Sequence, residues 1–291
     1  MDKLRLGISS CGMQELTEQN FIDMKNAGVK ELELSFKPEK YTVLDWKGIK
    51  EKADKYGINL WTLHLPFGPF DKINPADSNP EVNNNTVSYL GDLIKKGAEI
   101  GIKIAVIHPS GEPIEEKDRE NQLDTAGKTL SKLADIAEKY DVTIAVEDLP
   151  RTCLGRDSYD IKKLISYDER LRVCFDTNHL PEQDNVEFIK DIGNKIITTH
   201  VSDYDKLNER HWVPGEGIVA WVELIKALEE IGYEGPILYE LGFSAPSSID
   251  RRQLTLEDIK ENHRLLVNKL PIKPIGKPIK ENCLTWQEKP W

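Results

Sequence analysis

The chain has 291 residues, 39% of them hydrophobic and 31% charged, with a formal net charge of −11. This length can bury a large core and fits one α/β barrel domain, while the acidic balance argues against a surface built for nucleic acid or anionic lipid. No apolar run is long enough to span a bilayer, and Cys11, Cys153, Cys174 and Cys283 show no CxxC spacing, so a reducing, cytoplasmic setting without a signal peptide is expected.

Eight short apolar runs, at residues 4–10, 30–36, 59–66, 103–109, 142–148, 172–177, 196–202 and 236–241, read as buried strands. Between them lie amphipathic stretches such as 87–100, 125–140 and 220–231, with apolar residues at helical spacing. Several stop at a glycine just before the next strand, at Gly28, Gly57, Gly101 and Gly232. Eight strand–helix repeats predict an α/β fold, a (β/α)8 TIM barrel. An open doubly wound sheet would want a glycine-rich phosphate turn after its first strand, and Gly7-Ile8-Ser9-Ser10-Cys11-Gly12 matches that poorly. The last helix is expected over 256–269. The barrel should therefore cover 1–270, and residues 271–291 form an extended arm. Pro271, Pro274, Pro278 and Pro290 keep that arm from being a regular helix. Its Leu284, Trp286 and Trp291 suggest docking on the chain's own barrel or on a neighbouring subunit in a homo-oligomer.

Nearly every strand ends in a residue that can bind a metal or move a proton: Glu33, His64, His108, Glu147, Asp176 with His179, His200 and Glu240. A parallel barrel collects all of these on one rim. The Asp-x-x-His at 176–179 is either a capped turn or half of a site, and Glu33 reads as a structural group. Glu147, Asp176, His200 and Glu240 would repel or desolvate badly on one buried rim without a cation. Three carboxylates and one imidazole suit one divalent ion such as Mn²⁺, Mg²⁺ or Co²⁺, with Zn²⁺ also compatible.

The segments His64-Leu-Pro-Phe, His108-Pro-Ser-Gly, Val146-Glu147-Asp148, Phe175-Asp176-Thr177-Asn178-His179, Thr199-His200-Val201-Ser202-Asp203, Arg210-His211-Trp212-Val213-Pro214-Gly215-Glu216-Gly217 and Tyr239-Glu240 resemble the xylose isomerase-like barrel superfamily. It includes tagatose-type ketose 3-epimerases, hydroxypyruvate isomerase, inosose dehydratase and endonuclease IV. The resemblance runs over about residues 4–270.

By that resemblance Glu147, Asp176, His200 and Glu240 are ligands of a single metal, and Glu147 and Glu240 also trade the substrate's proton. His179 is a substrate-binding histidine, and His64, His108 and His211 are expected to be substrate or supporting contacts. Lys206 or Arg210 would supply the substrate-gripping cation, although neither matches cleanly. The implied reaction is isomerisation or epimerisation of a ketose or keto-polyol, a small-molecule sugar. A lyase or dehydratase acting on a keto-sugar, inosose or glycoside is the alternative. The nuclease resemblance places His64, His108, Glu147, Asp176, His179, His200, His211 and Glu240 at metal positions, with Glu209 where that enzyme carries Asp. The acidic chain and the lack of a basic DNA-penetrating loop weigh against it.

Overall fold

In the computed structural model, which describes residues 3–13 and 15–288, the eight apolar runs form eight parallel strands. In chain order the strands and helices of the barrel are β1 (Leu6–Ser9), α1 (Glu18–Ala27), β2 (Glu31–Leu34), α2 (Trp46–Tyr56), β3 (Asn59–His64), α3 (Pro80–Glu99), β4 (Ile104–Ile107), α4 (Arg119–Glu138), β5 (Thr143–Glu147), α5 (Ser158–Ile165), β6 (Arg172–Asp176), α6 (Asn185–Ile192), β7 (Ile196–His200), α7 (Trp221–Glu230) and β8 (Ile237–Tyr239). A two-residue strand β9 (Ile249–Asp250), helix α8 (Leu256–Val267) and a second short strand β10 (Lys277–Pro278) follow. Strands pair in the order β7-β6-β5-β4-β3-β2-β1-β8. Val201 N–H donates to the Leu238 carbonyl at 2.8 Å and bridges to Tyr239, which joins the two ends of the sheet. The fold is a (β/α)8 TIM barrel.

Local chemistry sets the boundaries. Thr17 and Thr255 cap α1 and α8 in reciprocal boxes with Asn20 and Asp258. Gly28 and Gly57 end α1 and α2 at φ 81° and 68°, where a Cβ would meet no neighbour, so backbone conformation and not space calls for glycine. Two helices start earlier than periodicity alone predicts. Asn79 caps α3 with Pro80 in its first turn, and the added turns bury the polar Asn83 and Thr86. Helix α4 begins at Arg119, itself buried against Asp160.

A large apolar core lies between strands and helices. A second cluster of Ile104, Val106, Ala145 and Cys174, with Trp61 and Ile197 against it, fills the barrel interior. Ala145 and Glu147 alternate onto the same side of β5, so Glu147 stands on top of that inner layer.

The arm packs on its own barrel. Strand β10 pairs antiparallel with β9, and the Gly276 N–H donates to Glu216, whose carboxylate also holds fully buried Arg251 at 2.8 Å. Asn282 donates to the Ser247 carbonyl and Arg210 to the Leu284 carbonyl. Trp286 is half-buried, and Trp291 lies outside the described residues. No helix among the described residues is long and apolar enough to cross a membrane.

Candidate active site

Glu147, Asp176 and His200 are the last residues of β5, β6 and β7, and Glu240 follows β8 directly. Parallel register places Asp176 beside His200. One ligand atom from each of the four lies within 4.8 Å of the others. Glu147, Asp176 and His200 are fully buried, while Glu240 opens onto a cavity of about 1140 Å³ at the C-terminal mouth of the barrel.

A divalent cation fits this donor set. Asp176 Oδ2 is buried and accepts no hydrogen bond, a costly state for an anionic oxygen unless a cation faces it. Burial pushes the Asp176 carboxyl well above its ordinary range, and the charges of Glu240 and Glu147 push the same way against His179. Burial acts upward on Glu147 too, but the charges of His200 and His108 outweigh it and hold the group well below the usual carboxylate range. His200 Nε2 donates to Glu33 Oε2 at 2.9 Å, and Thr62 donates to the same oxygen at 2.8 Å. That contact aims His200 Nδ1 at the tetrad, 2.7 Å from Glu147 Oε1 and 3.4 Å from Glu240 Oε2. Glu33, a structural group on sequence grounds, orients a candidate ligand.

Two histidine groups flank the tetrad. His64 Nε2 and His108 Nε2 each lie 3.1 Å from Glu147 Oε2. Burial lowers the His64 pKa, but the hydrogen bond and charge of Glu147 more than reverse this and carry it to about 9. At His108 burial prevails and the pKa falls. On the other side His179 donates from Nδ1 to the Asp148 carbonyl and from Nε2 to Glu209 Oε1, both at 2.8 Å. Both ring nitrogens face acceptors, so the ring is held as an imidazolium. Its pKa is accordingly well above normal: desolvation opposes the charge, but Asp176 and Glu209 outweigh it. His211 is partly exposed, with Nδ1 3.3 Å from the Glu240 carbonyl and Nε2 3.9 Å from Glu209. His179, Glu209 and His211 form a second group whose ligand atoms approach within 4.8 Å.

His64, His108, His179 and His211 all line the cavity, whereas Arg210 does not. Its Nε donates to Asp205 at 2.8 Å and its Nη2 to the Leu284 carbonyl of the arm, so a neighbouring carboxylate and the arm's backbone hold it away. Lys206 is exposed and also lies off the cavity wall. The arginine that does reach the cavity is Arg151, four residues after Glu147 in the β5–α5 loop, with a left-handed backbone at φ 58°. It holds Glu112 through two 3.1 Å hydrogen bonds, Asn208 at 3.0 Å, and the second oxygen of Glu209. An arginine immediately after Glu147-Asp148-Leu149-Pro150 at a strand end was the available signal.

The xylose isomerase-like TIM barrel family model matches residues 21–263. A Methanocaldococcus jannaschii protein without an assigned activity is 30% identical over 203 residues, 67% of this chain and 68% of that protein. The D-psicose 3-epimerase of Ruminiclostridium cellulolyticum is 25% identical over 200 residues, 65% of this chain and 66% of the epimerase. A probable endonuclease 4 of Staphylococcus aureus is 26% identical over 239 residues, 73% of this chain and 78% of that protein. The crystal structure of a D-tagatose 3-epimerase-like protein superposes with a TM-score of 0.77 at 24% identity, covering 91% of this chain and 99% of that one. The chain belongs to the xylose isomerase-like TIM barrel family.

Proposed function

We propose that the protein is a metal-dependent sugar isomerase or epimerase that removes a proton from the carbon next to the carbonyl of a ketose or keto-polyol. The observation that carries this reading is the tetrad of Glu147, Asp176, His200 and Glu240 within 4.8 Å, two of its carboxylates facing the cavity. These four residues would hold the cation, which when bound supplies Lewis-acid polarisation of a carbonyl.

Glu147 and Glu240 come from strands three places apart in the ring. One takes the proton and the other returns it on the opposite face. Glu147, held well below the usual carboxylate range, stands ionised at neutral pH as a base. The fixed imidazolium of His179 favours negative charge developing on substrate oxygens. His64, His108 and His211 line the same cavity as substrate contacts. Dehydration begins with the same proton loss, which places a lyase on a keto-sugar next to this reading. The similarity to psicose and tagatose-type 3-epimerases supports the sugar assignment.

A second reading, a multi-metal hydrolase of the endonuclease kind, is favoured by the two histidine groups beside the tetrad. Against it, Glu209 already spends one oxygen on His179 and the other on Arg151, so that group is neutralised by protein charges. The experiment is a metal count by elemental analysis after loading with Mn²⁺ or Zn²⁺, paired with an incision assay on an abasic DNA duplex. One ion per chain and an uncut duplex are expected. Two or three ions with incision would establish the hydrolase instead.

A further inference from the structure

We infer that the substrate carries a second, uncharged ring joined to the keto-sugar, so that the site takes a glycoside and not a free monosaccharide; this rests on the sugar reading above. The cavity of about 1140 Å³ exceeds the roughly 300–1,000 Å³ of pockets that enclose drug-sized ligands. Proton transfer at the tetrad uses only the floor of this open cavity, which leaves room for a further part of the ligand.

The wall changes character just beyond the carboxylates. Phe67 stacks on the His108 imidazole, with centroids 4.2 Å apart and planes 17° from parallel. His108 Nε2 is in turn 3.1 Å from Glu147, so one imidazole separates this phenyl ring from the carboxylate. Phe70 rests on Gly111 of the β4–α4 loop, where a Cβ would come within 2.6 Å of its ring. Both rings are thus seated, yet Phe67 remains 50% and Phe70 40% exposed. Two seated aromatics turned to a cavity offer flat apolar faces for the face of a sugar or an aryl ring.

The charges around the cavity do not select an anion. Lys37 and Lys40 flank Glu39 at the rim, Arg151 is engaged by Glu112 and Glu209, and the positive charges of His64 and His179 are matched by Glu147 and by Glu209 with Asp176. A phosphate would find no concentrated positive charge there, whereas a neutral ring needs only the aromatic faces. Continuity of this wall with the tetrad makes the occupant the distal part of the reacting molecule.

Calorimetric titration of the Mn²⁺-supplemented protein with methyl β-D-glucoside, phenyl β-D-glucoside and cellobiose tests this. The two ring-bearing probes are expected to bind at least about ten-fold more tightly than the methyl glycoside, about 1.4 kcal/mol. Phe67→Ala and Phe70→Ala are each expected to bring that ratio down toward one. Equal affinities for the three probes, undetectable binding of all of them, a ratio unaltered in both variants, or a preference for glucose 6-phosphate would each overturn the inference. Exchange of a substrate carbon-bound proton with solvent separates the two readings. A flat affinity ratio with exchange intact overturns only the glycoside inference, whereas absent exchange beside a persisting ratio overturns the reaction and leaves the aromatic subsite.

Discussion

Glu33 illustrates how a buried residue outside the candidate ligand set orients one of its members. Its Oε2 takes the His200 Nε2–H at 2.9 Å and so fixes which imidazole nitrogen faces the tetrad. Glu33→Gln is expected to weaken divalent-metal binding about 10- to 100-fold, the usual cost of losing such an orienting partner, read by calorimetry with Mn²⁺. Asp148 and His64 are two of the buried groups, with Asp176, His179 and His200, whose raised pKa values make the metal-free protein less stable as pH rises. Burial raises the Asp148 carboxyl from 3.8 to about 8, and His64 rises from 6.5 to about 9. In both cases the folded state binds the proton more tightly than the unfolded chain does. The stability they contribute is present at low pH and lost as pH rises, through about 8 for Asp148 and about 9 for His64. Thermal unfolding in EDTA should therefore show Tm falling by several degrees between pH 6 and 10, with a shallower fall in Asp148→Asn. A Tm that rises over this range would contradict the assignment.

At the scale of elements, the C-terminal arm fastens two loops that border the site. Glu216 lies in the loop after β7 that also carries Glu209 and His211, and Arg251 lies in the segment after β8 and Glu240. Their fully buried ion pair is completed by the Gly276 N–H of the arm. A Cβ on Gly276 would come within 2.8 Å of Arg251 Cβ and 3.0 Å of the Glu216 carboxylate. Gly276→Val is accordingly expected to cost about 1–3 kcal/mol through overpacking, measured by urea unfolding. Deleting residues 271–291 should lower Tm further and weaken metal binding, since both loops lose their fastening. Unchanged stability and metal affinity in the truncated chain would show that the loops hold themselves. The prolines that bar a regular helix from residues 271–288 were legible in sequence, but the contacts of this segment were not. The Glu216–Arg251–Gly276 triad is made by hydrogen bonds that span 35 and 60 positions, with no periodic signal.

For the whole molecule, the barrel was legible because short apolar runs and period-3.6 patterns alternate eight times, with glycine stops and polar caps between them. The proximity of four strand ends was legible for a related reason: a parallel barrel turns strand-terminal position into spatial closeness, so residues 147, 176, 200 and 240 converge once the strands are recognised. Cation placement was not. Arg210 is captured by Asp205 and by the arm, contacts that depend on loop conformation, while Arg151 reaches the cavity from a left-handed backbone position that nothing in its local sequence demands. The distinction between one metal and several also rests on such loop contacts, because Arg151 and His179 divide the oxygens of Glu209 between them.

The central claim is that Glu147 and Glu240 move a proton on a carbon next to a carbonyl. Incubating the Mn²⁺-loaded protein with keto-sugars in D₂O, followed by NMR of the recovered sugar, tests it most directly. The account predicts deuterium at the carbon adjacent to the carbonyl, with a rate that depends on added metal and falls about 10²- to 10⁴-fold in Glu147→Gln, the range for loss of a general acid–base group. Turnover of a keto-sugar without deuterium uptake, or uptake undiminished in Glu147→Gln, would contradict it.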